Sequence, residues 1–89
     1  MLNLPEIATE EEIHTFKQNI SDCIKKKRLE KGVSQLEVAL SIGQKSSGFY
    51  ANAENNAHNK HFNIVHLYKI AKLLEVDICE FFQEPTAEN

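Results

Sequence analysis

The amino-acid sequence predicts an all-α fold, a bundle of five helices in one small domain. Apolar residues recur at spacings of three and four along the 89 residues, whereas the alternation of apolar and polar residues that marks a half-buried strand is absent. Helix starts are indicated where a capping side chain precedes a glutamate by three residues, because the two side chains can satisfy free backbone N–H groups reciprocally. Three segments have this pattern: TEEE (Thr9–Glu12), SQLE (Ser34–Glu37) and DICE (Asp77–Glu80).

The first helix is predicted to end near Lys31, because Gly32 can adopt the left-handed conformation that ends many helices. The sequence is compatible with more than one start for this helix. The preferred prediction is a helix from about Asn19, with an extra helical turn or arm before it. The TEEE motif also allows a start at Thr9, and the third possibility is a helix that breaks and restarts near Ser21.

Capping residues and a glycine predict the bounds of the other helices. The SQLE motif starts helix two, and Gly43 ends it. Ser46 or Ser47 caps a short helix three that runs to Ala53, Asn63 caps helix four, and the DICE motif starts helix five. The apolar residues on one face of each helix form the predicted core. It comprises Ile20, Ile24, Val38, Ala39, Ile42, Tyr50, Ala53, Leu67, Ile70, Ala71, Leu74, Val76, Ile78, Phe81 and Phe82.

Three parts of the chain are predicted from these signals and from the charge at the ends. Residues 1–18 form an acidic N-terminal arm or an extra helix, residues 19–82 form the helical domain, and residues 83–89 form a flexible tail.

Composition excludes several classes of protein. No apolar run approaches the roughly 20 residues that a membrane span requires, and the N-terminal segment lacks the basic start and apolar centre of a signal peptide. We therefore expect a cytoplasmic protein that does not associate with a membrane. In a reducing compartment Cys23 and Cys79, which fit no zinc spacing, are expected to be small apolar core residues.

Three of the four histidines raise the question of a metal site, because His58, His61 and His66 lie within nine residues. No cysteine is close to them in sequence, and His66 falls in the first turn of helix four, away from the polar loop that holds the other two. Neither cysteine has a neighbouring base, and the serines cluster at helix starts, where capping explains them. We expect no metal, no cofactor and no enzymatic activity.

Charge is distributed unevenly along the chain. The formal net charge is −3, but all ten Lys and Arg residues fall between Lys17 and Lys72, where only four acidic residues occur, so that this span has a net charge of +6. The remaining nine acidic residues lie in the flanks. A basic centre between acidic ends suits contact with nucleic-acid phosphates, and a mixed, solvated surface is the alternative.

The order of these signals resembles the lambda-repressor-like helix-turn-helix domain of the Cro and Xre type. The resemblance is carried by IKKKRLEKGVSQLEVALSIG, then a short helix, Glu54, a loop and LYKIAKLLEVDICEFF, over about residues 19–82. It implies a five-helix bundle that binds operator DNA as a homodimer, with helices two and three as the helix-turn-helix and helix three in the major groove. It also implies a structural ion pair between Arg28 and Glu54.

Contacts with the DNA backbone are expected next to helix three. Gln35 follows the cap of helix two, where helix N–H groups and its own amide can hold a phosphate oxygen, unless it is an ordinary exposed residue. In the family that the sequence resembles, the turn before helix three and the loop after it touch the DNA backbone. These regions hold Lys45 and, in the loop, Asn59, Lys60 and His61.

Base contacts are expected from helix three itself, although the sequence departs from the family pattern there. Counted from Gln35, Glu54 comes one residue later than usual, and the loop NNAHNKHFN is also longer. Alignment backward from Glu54 places Ser46 at the N-cap of helix three. The outward positions that face bases are then Ser47, Gly48, Phe49 and Asn52.

Two functions from different classes follow. The first is a sequence-specific transcriptional regulator, a small prokaryotic or phage repressor or controller that binds a double-stranded DNA operator. The second is an antitoxin-like or adaptor module that binds another protein through Leu36, Leu40, Phe49 and the acidic ends. The absence of Lys and Arg from helix three motivates this second function.

Overall fold

The structure, a computed structural model, describes residues 7–83 and contains four α-helices followed by one 3₁₀ helix. The all-α class is confirmed, and no strand occurs in this range. The first six residues of the predicted arm and all of the predicted tail except Gln83 lie outside the described residues. The helices are α1 (Glu10–Lys31), α2 (Gln35–Ser41), α3 (Gly48–Glu54), α4 (Ile64–Leu74) and the C-terminal 3₁₀ helix (Ile78–Phe82).

The first helix is longer than preferred from the sequence, because it begins at Glu10 and continues without a break through Asn19 and Ser21 to Lys31. The TEEE capping box forms: Glu12 N–H donates to Thr9 Oγ1 at 3.0 Å, and Thr9 N–H donates to Glu12 Oε1 at 2.8 Å. No glycine or proline follows before the end of the helix, so nothing local interrupts it. The described part of the predicted N-terminal arm is therefore mainly the first turns of α1.

Most of the other local signals are also confirmed. Ser34 and Glu37 form the second capping box at the start of α2. Gly32 and Gly43 both have positive φ, +70° and +93°, at the ends of α1 and α2. Asn63 caps α4, with its Oδ1 accepting from the N–H of the third helical residue at 2.8 Å.

The DICE motif does not start a fifth α-helix. Asp77 Oδ1 accepts from the N–H of Cys79 at 2.8 Å, two residues on instead of three, and the segment continues as a 3₁₀ helix. The Glu80 carboxylate lies 2.8 Å from the Lys27 ammonium on α1. Asp77 thus caps this segment, and Glu80 connects it to α1 through an ion pair.

The predicted core is largely correct. Ile24, Val38, Tyr50, Ile70 and Phe81 are among the residues with no measurable exposure. The predicted core residues Ile20, Val76 and Ile78 are only partly buried against this core.

Three residues at the C-terminal end of the domain depart from the prediction or from what is usual for their residue type. Phe82 was predicted as a core residue but is 47% exposed, with its ring stacked on that of Phe16. Cys79 is exposed, so its predicted role as a core residue is wrong. Glu75, which ends α4, adopts the left-handed conformation at φ +59° without being a glycine.

Packing of the elements holds α3 between the long first helix and α2. The long α1 packs against α3, α4 and the 3₁₀ helix, and α2 packs against α3 and α4. Ser21 on α1 is buried and donates its hydroxyl hydrogen to the carbonyl oxygen of Ala53 on α3 at 2.9 Å. None of the helices in residues 7–83 combines the length and the apolar character that a membrane span requires.

Candidate nucleic-acid interface

The start of α3 differs by one residue from the backward alignment, because Ser47 and not Ser46 is the N-cap. Ser47 already has helical dihedral angles, φ −81° and ψ −3°, and its side chain makes no capping hydrogen bond. Capping by serine requires extended backbone angles, which direct the hydroxyl towards the free N–H groups. The Ser47 hydroxyl makes no capping bond and is therefore available for other partners.

One face of α3 is buried and the opposite face is open. Tyr50, Ala53 and Glu54 are buried against the rest of the domain. Because successive residues turn by about 100°, Gly48 and Asn52 lie on the opposite face. Asn55, the exposed residue that ends α3, continues this line one turn further.

Asn55 was not predicted as a site residue. Its signal is the spacing of three residues from Asn52 and seven from Gly48, which is the period of one helix face. It was missed because the sequence does not show that helical geometry extends past Glu54. The outward line Gly48–Asn52–Asn55 is called the reading face below.

Gly48 is not required by packing. A Cβ atom added at this position would meet only Ser46 Oγ, at 3.9 Å, and the backbone of Gly48 does not need positive φ. A methyl group therefore fits the isolated domain. The space in front of Gly48 is open to a binding partner that approaches the backbone closely.

Phe49 is placed differently from the other predicted base-contact residues. Its ring lies 6.4 Å from that of Phe62 and 5.4 Å from that of His66, in edge-to-face arrangements, and it is only half-exposed. Phe49 therefore packs α3 against the start of α4, and only part of the ring faces outward.

Arg28 and Glu54 form a bidentate ion pair beneath α3. Arg28 Nε donates to Glu54 Oε1 at 2.8 Å, and Arg28 Nη2 donates to Glu54 Oε2 at 3.1 Å. The third contact of the guanidinium is to the carbonyl oxygen of Val33, at 2.9 Å, in the link between α1 and α2. The two side chains are only 10% and 1% exposed, so the pair is almost fully removed from water.

The surroundings of Glu54 favour its ionised form. Burial raises the pKa of Glu54, but the hydrogen bonds from Arg28 and from Gln35 outweigh this effect and hold the pKa below its ordinary value. Tyr50 lies beside the pair, and burial raises the pKa of its hydroxyl. That hydroxyl lacks the geometry of a hydrogen bond to any partner among residues 7–83.

Gln35 joins this network, because its Nε2 donates to Glu54 Oε2 at 3.1 Å. The contact fixes Gln35 next to the C-terminal end of α3. One hydrogen of the amide group is used in this way, and the second hydrogen remains. The first N–H groups of a helix also lack an intrahelical partner, so that the start of α2 still offers donors to an anion.

The other predicted backbone contacts lie at both ends of α3. Lys45 is exposed in the turn before α3. Asn59, Lys60 and His61 are exposed in the loop after it, where His58 and Asn59 both adopt left-handed backbone angles. The structure thus brings Gln35 and this loop to one end of α3 and leaves Lys45 at the other.

His66 has a structural role in this region. Its Nδ1 accepts from the N–H of Asn63 at 3.2 Å, so that a histidine completes the capping box of α4 in place of a glutamate. Burial, and secondarily the nearby Lys69 ammonium, lower the pKa of His66, which favours the neutral ring that this acceptor role requires. Across residues 7–83, no three side chains of metal-ligating type lie together as a metal site would require.

Comparison with known proteins agrees with this geometry. The family model described as Helix-turn-helix matches residues 24–81, more than half of the chain. The matched segment contains α2, α3, α4 and the C-terminal part of α1. No curated protein is significantly similar in sequence to this chain.

Replacement of Glu54 tests the ion pair. Glu54→Ala leaves the buried Arg28 charge without its partner, so we expect the free energy of unfolding to fall by about 3 kcal/mol. The matched control is Glu30→Ala, because Glu30 is 49% exposed and lies 3.8 Å from its partner Lys27. That control should cost no more than about 0.5 kcal/mol. Urea unfolding of both variants makes the comparison, and equal unfolding midpoints would contradict the structural role of the pair.

Proposed function

The chain belongs to the helix-turn-helix family of DNA-binding regulatory domains, and we propose that it is a sequence-specific transcriptional regulator that reads the major groove with α3. The specific role that we propose is that of a small prokaryotic or phage repressor or controller. It acts as a homodimer on a double-stranded operator, because two copies can place their α3 helices in half-sites about 34 Å apart.

The reading face is the observation that carries this proposal. Gly48, Asn52 and Asn55 present small or amide side chains on the face of α3 opposite its buried residues. A B-DNA major groove is about 12 Å wide and is bordered by a phosphate strand on each side. Lys45 lies at one end of α3, and Gln35 with the loop lies at the other, so we assign one of these groups to each strand.

Reading by this face requires no basic side chain. Asn52 suits adenine, since an amide can bond N6 and N7 of that base together, and Ser47 can bond either type of base edge. Asn55 offers a second amide one turn further along. Gly48 allows close approach, and the outward part of the Phe49 ring suits a thymine methyl group, so we propose an operator half-site rich in A·T pairs.

Two features favour the second candidate function, a protein-interaction module. Leu36 and Leu40 on α2 are 49% and 55% exposed, although leucine is usually buried. Their spacing of four places both on one side of α2. In this alternative the scaffold binds another protein through these leucines, and DNA binding is absent or weak.

Salt dependence separates the two functions. Phosphate contacts release counterions, so the proposed regulator should lose affinity for duplex DNA steeply between about 50 and about 200 mM salt. Gel shifts with sheared genomic DNA measure this loss. Retained affinity for a protein partner, without salt-dependent binding to DNA, would refute the regulator and support the alternative.

Variants of Asn52 and Lys45 distinguish contacts that read bases from contacts that position the protein on the DNA backbone. Asn52→Ala should cost about 1–3 kcal/mol on an operator selected from a random pool and should relax one base position. Lys45→Ala should weaken binding to selected and random duplexes alike and should flatten the salt dependence. Equal losses of Asn52→Ala on selected and random duplexes would contradict its role as a base reader.

Gly48→Ala tests close approach, because folding does not require this glycine. The free energy of unfolding should stay the same or rise by up to about 1 kcal/mol, since alanine favours helix. Affinity for the selected operator should nevertheless fall by at least about 1 kcal/mol, because the added methyl group occupies space that the DNA needs. Unchanged affinity in a variant of normal stability would show that DNA does not approach α3 at this point.

A further inference from the structure

A polar recess of about 430 Å³ lies between the first turns of α1 and the loop that follows α3. The recess is called the α1–loop recess. Its polar lining consists of Glu10, His14, Lys17, Asn56, Asn59 and His61. Residues 10–17 precede the segment 24–81 that matches the helix-turn-helix family, so half of this lining belongs to the additional length of α1.

Contacts across the recess hold its two walls together. The Lys17 ammonium lies 3.5 Å from His61 Nε2. Asn56 Nδ2 lies 3.3 Å from His14 Nδ1 and donates to Gln18 Oε1 at 3.4 Å. These contacts link the N-terminal half of α1 to the loop, and side chains from both elements line the recess.

The lining offers mainly hydrogen-bond donors. An ammonium group has three donors, and the contact with His61 uses one of those of Lys17. The Asn59 amide and the imidazole N–H groups add further donors, whereas both N–H groups of Asn56 are used by His14 and Gln18 and Glu10 is the one carboxylate among the lining residues. This chemistry suits an anion that has several acceptor oxygens, such as a phosphate.

We propose that the α1–loop recess holds a phosphate of the DNA backbone and so extends the contact with DNA beyond the family's usual segment. This inference rests on the proposed DNA-binding function. The recess adjoins the exposed loop at the C-terminal end of α3, beside Asn59 and His61, which are themselves proposed backbone contacts. A helix docked in the major groove lies between the two phosphate strands that border the groove, so one strand passes each end of the docked surface.

The exposure of the lining favours DNA over a small phosphorylated molecule. Lys17 and Asn56 are half-exposed, and the other polar lining residues are exposed. A free anion in so open a place competes with water and salt. A phosphate within a duplex is already held near the recess by the other protein–DNA contacts, and the release of counterions favours its binding.

The test measures affinity for a duplex selected from a random pool, as a function of salt, in variants of the recess. Lys17→Ala should lose affinity on the order of tenfold at about 50 mM salt, and the slope of log K against log salt should become shallower by about 0.9. Lys25→Ala is the matched control: this lysine is exposed on the same helix, does not line the recess, and should leave the slope unchanged. Glu10→Gln removes the carboxylate that repels an anion and should strengthen binding.

Distinct results would overturn the inference or its premise. If Lys17→Ala binds with the slope of the wild-type protein while Lys45→Ala binds more weakly, the recess does not hold a phosphate but the proposed function stands. Weaker binding of the duplex by Glu10→Gln would contradict the placement of a phosphate beside this carboxylate. If the wild-type protein shows no salt-dependent affinity for duplex DNA, the inference and the proposed function fail together.

A further arm separates the two sources of phosphate. Inorganic phosphate is added without DNA while the ring signals of His14 and His61 are followed by NMR. The inference expects these signals to move with the duplex and to stay in place with inorganic phosphate at similar ionic strength. Saturable shifts with inorganic phosphate alone, lost in Lys17→Ala, would assign the recess to a free anion instead.

Discussion

Arg28 and Glu54 meet at 2.8 Å in a part of the domain where both are nearly removed from water, and the positions of α1, α2 and α3 depend on this contact. Opposite charges attract more strongly away from water, but each has lost its hydration and depends on the other for compensation. The guanidinium also holds the link between α1 and α2 through Val33, and the carboxylate holds Gln35 at the start of α2. The pair therefore fixes the geometry of three helices, because its hydrogen bonds have set directions in addition to the attraction between the two charges.

This constraint matters because the helix-turn-helix is built from very short helices. Both α2 and α3 have seven residues, a length at which an isolated helix is unstable in water. Their stability comes from burial of Val38, Ala39 and Tyr50 and from the contacts of Glu54. A consequence for DNA binding is that Gln35, a proposed backbone contact, and the reading face of α3 share one anchor. When the ion pair of Arg28 and Glu54 is disturbed, we therefore expect the phosphate contacts and the base contacts to change together.

Local signals predicted the parts of the fold that depend on local interactions. The capping boxes at Thr9 and Ser34 formed, because their partners lie three residues away and no ion pair within residues 7–83 involves Glu12 or Glu37. The DICE motif started a 3₁₀ helix instead of an α-helix, with Asp77 as its cap, while the Glu80 carboxylate pairs with Lys27, which is distant in sequence. The start of α1 lies earlier than the preferred prediction near Asn19, because the capping box at Thr9 forms and no glycine or proline interrupts the helix before Lys31.

The candidate site was less predictable than the fold. The outward positions of Gly48 and Asn52 followed from their distances to Glu54, whereas Asn55 and the α1–loop recess depend on backbone angles after α3. There Asn56, His58 and Asn59 adopt left-handed conformations without a glycine to signal them. The ion pair of Arg28 and Glu54 was implied by the resemblance and not by spacing, since 26 residues separate the partners.

The central claim is that α3, held by this ion pair and by Gln35, is the surface that meets DNA. Its most direct test is a map of amide chemical shifts in the isotope-labelled protein as a selected operator duplex is added. We expect the largest changes along the reading face, at Gln35 and Lys45 and in the loop that contains Lys60. Changes confined to the exposed leucines of α2, with α3 unaffected, would contradict the claim.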